Sequence, residues 1–151
     1  MQDEREKHWH RIIFVCYIAV LCYFLFFAEM FGRMDGGQEY HYNLVPFKEI
    51  GRFIRNYHGL GFWTVFYNIV GNIIGFMPYG FYLPMLFKRI QGFFPVFLFS
   101  LLLSLLVETT QLVFKVGSFD VDDLFLNTLG GIAGYLVFCL VRKRRKNCEG
   151  A

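Results

Sequence analysis

Asn68, Asn72, Glu108, Gln111, Asp123 and Asn127 stand in or at the edge of stretches that are otherwise almost wholly apolar. A carboxylate at the centre of a bilayer costs about 2.5–3.5 kcal/mol on insertion scales, so polar groups at that depth need a partner or a task. Asn68, Gly71, Asn72 and Gly75 recur at i, i+3, i+4 and i+7, which is one face of a helix. That face is open to two readings: a packing seam of the small-xxx-small kind through Gly71 and Gly75, or amides lining a polar pocket. Ser100, Ser104, Glu108 and Gln111 fall at i, i+4, i+8 and i+11, again one face, and Lys115 continues it. Glu108 is open to protonation, to pairing with Lys115 or Arg33, or to exposure in a water-filled cavity. Asp120 is a candidate N-terminal cap, with Asp122 and Asp123 favourable to the helix dipole in the first turn that follows. Asp123 and Asn127 then share a face with Gly130, Gly131 and Gly134.

This set can hold a polar headgroup through amides and acids. It can also be read as an enzyme on a lipid headgroup, with Glu108 as base or with Asp120, Asp122 and Asp123 holding Mg²⁺ against a phosphate. Neither H-E-x-x-H nor G-x-S-x-G occurs, and His41 and His58 lack metal-ligand spacing. The non-enzymatic reading leads, with no catalytic residue, metal or cofactor assigned. A small transporter subunit or channel is the third class, and it would need homo-oligomerisation through Gly71–Gly75 or Gly130–Gly134.

The elements that position these residues follow from hydropathy. In 151 residues, 56% are hydrophobic, 21% aromatic and only 18% charged, and mean hydropathy is +0.41. Twenty Phe are too many for a soluble core of this size. The stretches 12–31, 62–87, 93–114 and 124–141 are each long enough to span or nearly span a bilayer, which takes about 20 residues. Backbone polar groups in lipid must be satisfied internally, so these are helices. The fold class is therefore all-α: one domain over 1–151, a polytopic bundle of four transmembrane helices. Pro78 is expected to kink the second. The first stretch is too long and aromatic for a cleaved signal segment, and it is read as a retained helix. Between the first two helices, 47–57 has apolar residues at Phe47, Ile50, Phe53, Ile54 and Tyr57 and bases at Lys48, Arg52 and Arg55. That pattern suits an amphipathic helix in the outer membrane interface.

Lys and Arg set the orientation. Ten of the fifteen lie in the N-terminal tail, the second loop and the C-terminal tail. Both termini are thus expected in the cytoplasm, Cys148 included, with the protein in the plasma membrane. The run from Arg142 to Lys146 reads as a flank touching anionic lipid headgroups rather than as a nucleic-acid site. With this orientation Asn43, Asn68, Asn72, Glu108, Gln111, Asp120, Asp123 and Asn127 all fall toward the outer leaflet, from three helices and their loops. A pure packing role would not require that convergence.

In these residues the sequence resembles the VanZ-like family of small membrane proteins. The matching stretches are Asn43-Leu-Val-Pro-Phe47, Asn68-x3-Asn72-x3-Phe76-x-Pro78-x-Gly80, Ser104-x3-Glu108-x2-Gln111 and Asp120-x2-Asp123-x3-Asn127-Thr128-x-Gly130-Gly131. Their order and spacing carry the resemblance over 42–134. It implies a cell-envelope protein of the kind associated with resistance to teicoplanin, a glycopeptide antibiotic, without remodelling of the peptidoglycan precursor. It brings no catalytic mechanism. The partners to expect are a membrane lipid, a lipid-linked envelope precursor or a lipoglycopeptide antibiotic.

Overall fold

The computed structural model describes residues 2–28 and 40–149, with side chains over 5–26 and 40–144. Glu29 and Arg33 lie outside the described residues, as does the side chain of Cys148. Helix α1 covers Gln2–Tyr23 and passes into a π-helical turn, Phe24–Ala28. Two short helices follow, α2 (Lys48–Arg55) and α3 (Tyr57–Leu60). Three long ones complete the chain: α4 (Phe62–Leu86), α5 (Phe93–Phe114) and α6 (Val121–Glu149). The spans apolar enough to cross a membrane are Arg5–Phe26, Phe62–Leu86, Phe93–Phe114 and Val121–Arg144. The end helices run beyond the hydropathy limits of 12–31 and 124–141, because hydropathy senses lipid contact while the charged flanks Arg5–Arg11 and Arg142–Arg144 are helical too.

The surface is apolar and the interior small or polar. Val15, Leu106, Phe114 and Leu140 are all more than 60% exposed. Ser100, Ser104, Glu108, Gln111, Asn127 and Thr128 are buried. Lipid tails are as apolar as Leu, so burying Leu contributes little between spans; close packing and interhelical hydrogen bonds hold them. α4 packs most extensively on α6. A Cβ at Gly130 would stand 2.2 Å from the Ile73 carbonyl oxygen, and one at Gly134 1.9 Å from that of Met77. Gly80 meets the backbone of Gly131 in the same way, and Gly131 meets Ser100 of α5. The tight seam therefore uses Gly80, Gly130, Gly131 and Gly134. Gly71 is not part of it: nothing lies within 4 Å of where its Cβ would be, and Gly75 meets only Leu21. The packing reading of the Gly71–Gly75 pair is thus replaced by the alternative, a face on open space.

α4 stays helical through Pro78 and Pro84. The Tyr17 hydroxyl of α1 donates to the Gly75 carbonyl at 2.7 Å, in the turn that Pro78 weakens. α1 is otherwise held by Leu21 against Phe76 and Val107, and by Phe14 against Tyr79.

At the end of the bundle where α5 gives way to α6, two residues from each of two distant loops pair as a parallel ribbon. β1 is Tyr42–Asn43 and β2 is Phe119–Asp120, with Tyr42 opposite Phe119 and Asn43 opposite Asp120. This end carries α2 and α3 and is called the loop end below.

Candidate functional site

Asp120 precedes the first residue of α6, and its Oδ1 accepts from the backbone N–H of Asp122 at 2.8 Å. That is the geometry of an N-terminal cap, as expected from the sequence. The same oxygen accepts from Asn43 Nδ2 at 3.1 Å, and the Asn43 Oδ1 accepts from Val45 N–H. Burial pushes the Asp120 carboxyl above the ordinary carboxylate range, partly opposed by these two hydrogen bonds.

Asp122 does something the sequence did not signal. It is 3% exposed, and its carboxylate accepts from the backbone N–H groups of Phe47, Glu49 and Ile50. Those are the orphan donors at the start of α2, 72–75 residues away in the chain. Phe47 enters α2 at φ 62 and offers no side-chain cap of its own, so a carboxylate from α6 caps it instead. The ribbon and this cap tie the 40–55 segment to α6.

Beside this tie lies a cavity of about 760 Å³, within the range typical of small-molecule sites. One wall is apolar: Tyr17, Val20, Leu21, Phe24 and Leu25 of α1 and its π-turn. The other holds Asn68, Asn72, Glu108, Gln111, Asp123 and Asn127, with Gly71 opening onto the space between them. Six of the eight singled-out residues therefore border one cavity. Asn43 and Asp120 do not; they hold the loop segment next to it. Glu108 joins the two regions. It borders the cavity at 2% exposure, and its Oε2 accepts from the backbone N–H of Asp120 at 3.0 Å. Lys115, one partner considered for Glu108, places its Nζ 4.5 Å from the centre of the Tyr40 ring.

Each amide at the cavity directs its nitrogen at a protein acceptor. Asn68 donates to Thr64 O at 2.7 Å, Asn72 to Asp123 Oδ1 at 2.6 Å, Gln111 to Leu25 O at 2.8 Å and Asn127 to Ser104 Oγ at 3.1 Å. Asn72 and Asp123 thus link α4 to α6, and Asn127 and Ser104 link α6 to α5. The Asn127 Oδ1 is buried and has no hydrogen-bond partner. Among the described residues, no group of three His, Cys, Asp or Glu is placed to hold a metal ion.

An apolar exterior, four helices among the described residues long and apolar enough to span a membrane, and a buried polar seam opening into a cavity define a polytopic α-helical membrane protein. The chain belongs to the VanZ/LLP1 family, whose profile matches residues 14–142. It is similar to Protein VanZ of Enterococcus faecium, at 37% identity over 101 residues, covering 67% of this chain and 54% of that protein. The chain therefore spans about half the length of that curated relative. No solved structure matches it.

Proposed function

We propose that this is a non-enzymatic envelope protein whose cavity receives the polar part of a lipid, a lipid-linked precursor or a lipoglycopeptide antibiotic, and that it contributes to teicoplanin-type resistance. One observation carries the reading. Polar side chains from three helices border a single cavity whose opposite wall is apolar, which is the arrangement an amphiphile requires. The resistance role rests on family membership and on the similarity to Protein VanZ.

The distribution of Lys and Arg supports a plasma-membrane orientation with both termini in the cytoplasm. The loop end and its cavity then face outward, where envelope precursors and glycopeptides are met. The exposed Leu44, Val45, Phe47 and Ile54 at that end suit contact with the lipid interface.

The test is Gly71→Leu, which fills the space in front of Asn68 and Asn72. Native mass spectrometry of the detergent-purified protein should show a bound amphiphile on the wild type and its loss from the variant. Teicoplanin susceptibility of cells expressing each protein reads the resistance role. A wild type that carries no amphiphile ends the binding reading, and equal susceptibility with and without the protein ends the resistance reading.

A further inference from the structure

The polar wall of the cavity lacks an acceptor's complement. The Asn127 Oδ1 is the sharpest sign: the residue is 1% exposed, it borders the cavity, and this oxygen has no partner. A buried acceptor without a donor costs about 1–3 kcal/mol, so its persistence points to a donor supplied from outside the chain. One N–H of each of the Asn68, Asn72, Gln111 and Asn127 amides is directed at a protein acceptor. The carboxyl groups of Glu108 and Asp123, each already hydrogen-bonded within the chain, add oxygens to the same wall. No Lys, Arg or His borders the cavity among the described residues.

We infer that the cavity takes a lipid whose headgroup carries a primary ammonium, with an N–H directed at Asn127 Oδ1. An ammonium presents three donors and no acceptor, which matches an oxygen-rich wall. A quaternary ammonium carries the same charge but no N–H, so it leaves Asn127 Oδ1 unpaired. An anionic headgroup would bring more acceptors to the same place. The acyl chains lie along Val20, Leu21 and Phe24, on the apolar wall. This inference rests on the amphiphile-binding reading and specifies the chemistry of the occupant.

The experiment compares phosphatidylethanolamine with phosphatidylcholine of identical acyl chains, both zwitterionic, added in equal amounts to the full-length protein in native mass spectrometry. The wild type should retain phosphatidylethanolamine about tenfold or more over phosphatidylcholine, the discrimination expected of one charge-assisted hydrogen bond. N-monomethyl phosphatidylethanolamine, which keeps N–H donors, should follow the ethanolamine lipid. Asn127→Leu, of similar volume but without the acceptor, should bring the ratio close to one. If that variant does not fold, the three-lipid comparison on the wild type decides alone. Equal retention of the ethanolamine and choline lipids overturns the ammonium assignment while leaving amphiphile binding standing. Absence of any retained lipid overturns both.

Discussion

Single side chains decide which part of the polar seam is structural. Asp122 accepts three backbone N–H groups from a helix start that has no other cap. Asp122→Ala leaves those donors to water, since no residue of α2 is buried, so only part of the roughly 1.5–3 kcal/mol of each charge-assisted bond is lost. We expect a loss of about 2–4 kcal/mol, and faster proteolysis in the 40–60 segment than within the spans. Ser100 is the opposite case. It is fully buried, its Oγ has no partner, and it is pressed against Gly131. Ser100→Ala removes an unsatisfied hydroxyl and relieves the contact, so detergent thermostability should hold or rise slightly. Asp120 gives a pH test. Its folded-state pKa is raised, chiefly by burial, so folding favours the protonated group. The stability it contributes is complete below the unfolded carboxylate pKa and falls as pH rises through the folded value. Asp120→Asn keeps an oxygen for Asn43 and for Asp122 N–H, and should flatten that dependence in melts across the acidic range.

Among elements, the two glycine faces separate. Gly131→Leu drives a side chain into Ser100 at the crossing of α5 and α6. The helices must part, and the variant should lose much of the bundle's thermostability, with overpacking alone costing about 1–3 kcal/mol. A Cβ at Gly71 meets no atom within 4 Å, the Leu side chain extends from there into the cavity, and Gly71→Leu replaces a poor helix former, so it should leave the melting temperature unchanged or higher. A fall with Gly71→Leu equal to that with Gly131→Leu would restore Gly71 to a packing seam. The face of Ser100, Ser104, Glu108 and Gln111 was legible in sequence because four polar residues keep one helical period against an apolar background. The role of Gly71 was not. Small residues at i and i+4 mark a face of α4, but not whether a neighbouring backbone fills it. The Asp122 cap was equally silent, since periodicity sees neighbours in sequence and this contact joins residues more than 70 apart. Acids in the first turn of α6 favour the dipole of their own helix, but Asp122 caps another.

For the whole molecule, everything proposed about an outward cavity depends on which way the bundle is threaded. Four candidate spans among the described residues would put the chain's two tails on one side, together with the loop between α4 and α5. That side holds Lys88 and Arg89 and the run from Arg142 to Lys146, besides Arg5, Lys7 and Arg11. Basic residues in short loops resist transfer and set orientation. The loop end, by contrast, is built to be held closely against the bundle, by the ribbon at Asn43 and Asp120 and by the Asp122 cap. Cys148 and a cysteine placed at Tyr40 therefore make a matched pair of reporters, in a background with Cys16, Cys22 and Cys139 replaced by Ser or Ala. A membrane-impermeant maleimide added to intact cells should label Tyr40→Cys and spare Cys148, and Cys148 should react only after permeabilisation. Labelling of Cys148 in intact cells would invert the bundle. The cavity would then open toward the cytoplasmic leaflet, out of reach of an extracellular glycopeptide, and the resistance role would need a different ligand even if the ammonium-lipid preference survived.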